Sequence, residues 1–148
     1  MNALLEAHAK TPVNLVGLGE MGIGNTTSAS AIICAVTGIS PAEAAGRGTG
    51  VDDKGLAHKI EVIERVLAFH HLDPGNGFEI LQKIGGFEIA GIAGAIIAAA
   101  SKKTAIVLDG VISTAAGLLA CLIHPAVQGI SWPDINPWKR PRRPPWTI

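Results

Sequence analysis

Tyrosine is absent from the 148 residues, and all aromatics together make up 4%. A core with so few rings must be built from Ala, Ile, Val and Leu, with 18 Gly to let backbones approach closely. Charged residues reach 16% against 48% hydrophobic, which excludes a largely disordered chain. Cysteine is equally scarce. Cys34 and Cys121 cannot form a disulfide framework, and each sits in an apolar helical pattern that marks it as a reduced core thiol. No apolar run is long. Ile89 to Ala100 falls short of the roughly 20 residues that cross a bilayer, so no membrane span is expected. Residues 1–10 lack the basic-then-apolar build of an export signal. The expectation is a cytoplasmic α/β protein with one domain's worth of core. His70 and His71 are adjacent, point in different directions on a helix and have no partner at i+4, so no metal site is expected.

The net charge of zero hides a split. Residues 1–129 hold 8 Lys/Arg against 11 Asp/Glu, a net −3, and residues 130–148 hold 4 Lys/Arg against one Asp, a net +3. All three Trp, five of the nine Pro and no Gly lie in that tail. The composition changes abruptly after Gly129.

Val13 to Gly19 is a short apolar run ending in Gly and reads as a buried strand. A Gly-rich turn follows, Glu20-Met21-Gly22-Ile23-Gly24. Asn25, Thr26 and Thr27 can each cap a helix that runs to about Val36 and stops at Gly38. Ser40-Pro41-Ala42-Glu43 opens a second helix, with Ser at N-cap, Pro at N1 and Glu at N3, which breaks at Gly46-Arg47-Gly48-Thr49-Gly50. A helix from Lys54 to about His70 carries the apolar stripe Ile60, Ile63, Val66 and Leu67. After the turn at residues 73–77 come helices over 78–84 and 87–101, the second packed closely through Gly91 and Gly94. A strand over 104–108 and a helix over 113–123 complete the pattern. Strand, Gly turn, helices, strand, helix is a parallel α/β sheet with crossover helices, incomplete because only two strands are evident.

A strand that ends in glycines and feeds a helix N-terminus makes an anion site, because backbone N–H groups and the helix dipole converge there. Gly17-Leu18-Gly19-Glu20-Met21-Gly22 matches the dinucleotide fingerprint in its usual context, so an NAD-dependent dehydrogenase is one reading. Glu20 argues against it, since a carboxylate in the turn repels a pyrophosphate. So does the missing acidic strand end about 20 residues later. A turn whose glycines only shape the chain is a further alternative. The second Gly cluster, with Lys59 a helix further on, suggests a phosphomonoester held between two Gly loops and an ammonium. The plainer alternative for Lys59 is a solvated helix face. Arg47 either binds phosphate or pairs with Glu43. Asp109, at a strand's carboxyl end, either contacts a ligand or caps the next helix.

Gly19-Glu20-Met21-Gly22-Ile23-Gly24-Asn25-Thr26-Thr27, with Gly46-Arg47-Gly48-Thr49-Gly50, Lys54-Gly55-Leu56, Gly85-Gly86-Phe87-Glu88-Ile89-Ala90-Gly91 and Leu108-Asp109-Gly110, resembles one family. It is the nicotinate-nucleotide–dimethylbenzimidazole phosphoribosyltransferases of cobalamin synthesis, and the resemblance spans roughly residues 10–129. It implies a Rossmann-like core from the family's large domain. It also implies transfer of phosphoribose from nicotinate mononucleotide to 5,6-dimethylbenzimidazole, giving α-ribazole 5′-phosphate and nicotinate with inversion at the anomeric carbon. Glu20 is then the carboxylate that stabilises an oxocarbenium-like transition state. Met21 and Ile23 would pack on the flat heterocycle. Gly22, Gly24, Asn25, Thr26, Arg47, Gly48, Thr49, Gly50, Lys59 and Asp109 would hold the substrate. No cofactor or metal is implied, and a homodimer is. Neither a membrane nor a nucleic acid is expected as a partner.

Family members are much longer, with an N-terminal portion shaping the base pocket and a C-terminal glutamate proposed as general base. Neither is matched here, so the expectation is a central fragment, residues 1–129, with impaired catalysis. A non-catalytic nucleotide-binding fragment is the alternative. The tail matches nothing in the family. Read two bases out of frame, with a permitted codon choice, its start gives Leu-Met-Ala-Gly-His-Gln-Ser-Val-Glu-Ala, close to an Ala-Gly-His-x-Ser-x-Glu motif of the family. Residues 130–148 therefore read as a disordered, out-of-frame tail. Its four basic residues are too few to argue strongly for a nucleic-acid arm.

Overall fold

The computed structural model describes residues 2–48 and 50–129, so Thr49 and the tail expectation for 130–148 lie outside the described residues. The order is helix α1 (Asn2–Lys10), strand β1 (Leu15–Gly19), helices α2 (Thr26–Thr37), α3 (Pro41–Ala44), α4 (Asp53–His70), α5 (Gly77–Ile84) and α6 (Phe87–Ser101), strand β2 (Ala105–Asp109) and helix α7 (Gly110–Ile123). A 3-10 turn follows at Pro125–Gly129. The two strands pair in parallel, with Leu15 opposite Ala105 and Gly19 opposite Asp109, so both carboxyl ends finish at one edge.

Local chemistry sets most of these boundaries. The Ser40 hydroxyl accepts the Glu43 N–H at 3.3 Å while the Glu43 carboxylate accepts the Ser40 N–H at 3.1 Å, the reciprocal pair expected of Ser-Pro-Ala-Glu. Asp52 caps α4 by accepting the Gly55 N–H at 2.8 Å, and Asn76 caps α5 through the Glu79 N–H at 3.0 Å. Gly38 ends α2 in the left-handed conformation, with its N–H on the Cys34 carbonyl.

The core lies between the helices. Ile32, Ile63, Ile80, Ile89, Ile112 and Leu119 are fully enclosed, and Ala29, Ala31, Ala93, Ala115, Ala116 and Ala120 fill the narrow gaps. Each large aliphatic contributes about 1.5–3 kcal/mol by leaving water. Helix α7 is central, packing on α2, α5, α6 and β2. Cys34 is buried and Cys121 half-buried, both are free thiols, and burial pushes both thiols up from their ordinary range.

Four expectations change. Helix α1 was not read from the sequence; it is short, and its packing on α6 supports it. The expected buried strand is half-exposed, with Leu15 60% accessible and an in-out alternation along both strands. With two strands, and helices packed on one face, the other face of the sheet stays open. Gly91 and Gly94 do not mediate close packing, since a Cβ at either would meet open space. The close approach is made instead by Gly77, where a Cβ would fall 2.9 Å from Leu122 Cβ, and by Gly117, where it would fall 2.8 Å from Leu108 Cδ1. Finally, α7 begins at Gly110, directly after β2, not at Ser113. No helix among the described residues is long and apolar enough to cross a membrane.

Candidate active site

The carboxyl ends of two parallel strands are where an α/β sheet exposes backbone for ligands. Here β1 runs into Glu20 and the Gly turn, and β2 ends at Asp109, which lies against Gly19. Gly22 and Gly24 have φ of +76° and +82°, a conformation that any side chain would strain, so the turn can fold tightly only with glycine there. Gly22 thus lies in the loop ahead of α2, outside the helix. In the dinucleotide fingerprint the third glycine serves close helix–strand packing, so the spacing match does not carry the dinucleotide geometry with it.

A cavity of about 270 Å³ opens beside this turn. Its wall includes Gly22, Gly24, Thr26, Arg47, Gly48 and Lys59, so the structure brings both Gly loops and the lysine to one place. Lys59 is not a solvated side chain. It is 9% exposed, and Nζ donates to Thr26 Oγ1 at 2.9 Å and to the Gly46 carbonyl at 3.0 Å. An ammonium has three donors, so one remains for a ligand. Burial holds its pKa below the ordinary lysine value. Gly48, at φ +55°, brings the second loop close: a Cβ there would sit 3.1 Å from Thr26 Oγ1 and 4.0 Å from Lys59 Nζ. A small, cationic, glycine-walled hollow fits a phosphate better than a bulky base.

Arg47 stays at the rim. Its ion pair is with the exposed Asp53 carboxylate, and it donates to the Val51 carbonyl at 3.2 Å. The Glu43 carboxylate takes part in the α3 capping box and the Arg47 ion pair is with Asp53, so of the two alternatives for Arg47 the pairing with Glu43 is not the one seen. Gly50, at φ +114°, closes the loop through its N–H on the Arg47 carbonyl and is not part of the cavity wall.

Glu20 is exposed at the mouth of the turn. Its Oε2 accepts the Gly22 N–H at 2.5 Å and the Asn25 amide at 3.0 Å. The Asn25 bond, then the Gly22 bond, hold its carboxyl below the usual range, so it is an anion at neutral pH. Met21 and Ile23 are 81% and 67% exposed, two apolar side chains on the same turn as Glu20. Asp109 occupies the N-cap position of α7 but makes no side-chain cap bond; its backbone carbonyl accepts the Ser113 hydroxyl instead, so the capping alternative fails. Asn25, expected to hold substrate, binds Glu20 and, at 3.2 Å, Glu88.

Sequence reasoning missed Thr27, Val51, Gly55, His58 and Val62, which complete the cavity wall. Gly55, His58, Lys59 and Val62 share one face of α4 at i, i+3, i+4 and i+7, a periodicity that could have placed them. Glu88 was quoted as part of a motif but given no role; its partner lies 63 residues away, and no local pattern signals that.

Comparison with known proteins supports the fold and the family. The phosphoribosyltransferase family model DBI_PRT matches residues 2–133, further at both ends than the motifs quoted above. The nicotinate-nucleotide–dimethylbenzimidazole phosphoribosyltransferase of Roseiflexus castenholzii is 53% identical over 116 residues, covering 78% of this chain and 33% of the relative. The protein of the same name from Geobacter sp. M21 is 47% identical over 126 residues, covering 85% of this chain and 36% of its own. The crystal structure of CobT from Thermus thermophilus superimposes with a TM-score of 0.79 at 37% identity, over 88% of this chain and 39% of that one. The chain therefore spans about a third of the length of the curated relatives it matches.

Proposed function

Because this chain belongs to the nicotinate-nucleotide–dimethylbenzimidazole phosphoribosyltransferase family, we propose that its site holds the phosphoribosyl group of nicotinate mononucleotide and serves its transfer to 5,6-dimethylbenzimidazole. The buried Lys59 ammonium, set between two glycine loops with one donor to spare, carries this reading. The 5′-phosphate lies in the cavity against Lys59, Gly48 and Thr26. The ribose then extends toward the strand ends, where Glu20 and Asp109 stand.

The chemistry follows from that placement. A ring nitrogen of the benzimidazole attacks the anomeric carbon as the bond to the nicotinate nitrogen breaks. Nicotinate leaves with the bonding pair, and the benzimidazole N–H proton passes to solvent water. Positive charge builds on the sugar, and the Glu20 anion stabilises it. Met21 and Ile23 offer apolar contact to a flat heterocycle. Glu20 is committed to Gly22 and Asn25, which makes it a poor acceptor for the benzimidazole proton, so turnover by the 148 residues alone is expected to be slow or absent. The same reading places a homodimer in the cytoplasm; sedimentation velocity checks the dimer.

Calorimetry of the full chain with nicotinate mononucleotide and with NAD tests the reading. Saturable binding of the mononucleotide and none of NAD is the expected result. Binding of NAD alone would favour a dinucleotide site, and silence from both would overturn the proposal.

A further inference from the structure

Asn25 is an anomaly. It stands at the N-cap of α2, where an asparagine oxygen ordinarily accepts a backbone N–H of the first turn, yet it makes no such bond. Its Oδ1 is buried without a partner among the described residues. A buried acceptor left unpaired and a cap left unmade are both destabilising, and a side chain held that way needs a reason. The reason lies at the other end of the amide. Nδ2 donates to Glu20 Oε2 at 3.0 Å and to Glu88 Oε1 at 3.2 Å, so two carboxylates are held on one amide nitrogen.

Glu88 reaches this position by a second device. It lies in the first turn of α6, and its carboxylate occupies the space next to Gly86 where a side chain would otherwise begin; a Cβ at Gly86 would overlap both carboxylate oxygens. Gly86 itself has φ −156° and ψ 162°, a conformation open to any residue, so what glycine supplies there is room for the Glu88 carboxylate, which a Cβ would push aside. Like charges a few ångströms apart repel. The amide nitrogen between them offsets that repulsion, and its bond to Glu88 favours the rotamer that also reaches Glu20.

We propose that Glu88 is a positioning residue for Glu20, acting through the Asn25 amide, which it locks in the rotamer that orients the Glu20 carboxylate. The inference rests on the reading above of Glu20 as the anion that faces the sugar. Glu88 touches no substrate in this scheme. Its deletion releases the amide, and Glu20 loses the bond that most favours its charged form.

The test follows the Glu20 side-chain carboxyl by carbon-detected NMR as pH is varied, on the full chain without ligand. Asn25→Ala is expected to move the Glu20 midpoint up toward the ordinary carboxylate value. Glu88→Gln and Glu88→Ala remove the same charge, but only Gln keeps an oxygen for Asn25. The midpoint in Glu88→Ala is therefore expected to lie above that in Glu88→Gln. Equal midpoints in the two variants would overturn the proposal, whatever their melting temperatures. If Asn25→Ala does not fold, the Glu88 pair decides alone, with Glu88→Leu, which also lacks a side-chain oxygen, replacing Glu88→Ala if needed. Failure to bind nicotinate mononucleotide would defeat the proposed function separately, because this titration uses no nucleotide.

Discussion

Replacing Lys59 by methionine keeps an apolar stem of similar length and deletes the ammonium. In the free protein two effects oppose each other. Thr26 Oγ1 and the Gly46 carbonyl lose their donor, at 2.9 and 3.0 Å, while the cost of holding a cation in a 9% exposed position disappears. Thr26 is half-buried and Gly46 exposed, so water can replace the lost donor at least in part. The net change in stability is expected to stay within about 1 kcal/mol, a melting shift of a few degrees. Nucleotide binding has no such compensation. A hydrogen bond to a charged partner contributes about 1.5–3 kcal/mol, which weakens the affinity of Lys59→Met for nicotinate mononucleotide roughly tenfold to a hundredfold. The same variant carries a pH signature. Burial lowers the folded-state pKa of Lys59 below 10.5, so the unfolded chain binds more protons between those two values. Wild-type stability therefore gains a rising component as pH climbs through that window, and Lys59→Met lacks it. Urea unfolding at neutral and alkaline pH reads this component, and calorimetry reads the affinity. A Lys59→Met protein that melts normally and binds the mononucleotide as tightly as wild type would refute the phosphate role.

Gly77→Ala drives a Cβ to 2.9 Å from Leu122 Cβ and Ile123 Cγ1, where α5 meets α7; a loss of about 1–3 kcal/mol in denaturant unfolding is expected. Gly48→Ala imposes a left-handed conformation on a side chain and crowds Thr26 Oγ1 at 3.1 Å, so about 1 kcal/mol of stability should go, together with affinity for the mononucleotide. Glu20 has a lowered pKa in the folded state, so its favourable contribution is present above 4.5 and is lost as pH falls through the folded value. Glu20→Gln should show a shallower acid-side fall in melting temperature than wild type.

Much of this architecture is legible in short-range chemistry. Ser40-Pro41-Ala42-Glu43 announces its own capping box, Gly38 its own stop, and Val13 to Gly19 its strand, because each depends on neighbours a few residues away. The glycines at 22, 24 and 48 are legible as turn formers for the same reason. Burial is not local. For Lys59 the sequence leaves a phosphate contact and a solvated helix face both open, and only the meeting of α2, the second Gly loop and α4 around it decides between them. The open face of the sheet depends on which elements cover it, and no periodicity states that. Asn25 reads as a plain helix cap, and only a partner 63 residues away diverts its amide to hold carboxylates.

The central claim is that one hollow, walled by two glycine loops and Lys59, receives the phosphate of the nucleotide. Amide chemical-shift mapping of the full chain with nicotinate mononucleotide tests it most directly. The account predicts saturable shifts centred on Gly22, Gly24, Thr26, Gly48 and Lys59, with inorganic phosphate moving a subset of the same signals. Shifts centred elsewhere, or saturable binding that leaves Gly48 and Lys59 unmoved, would contradict it.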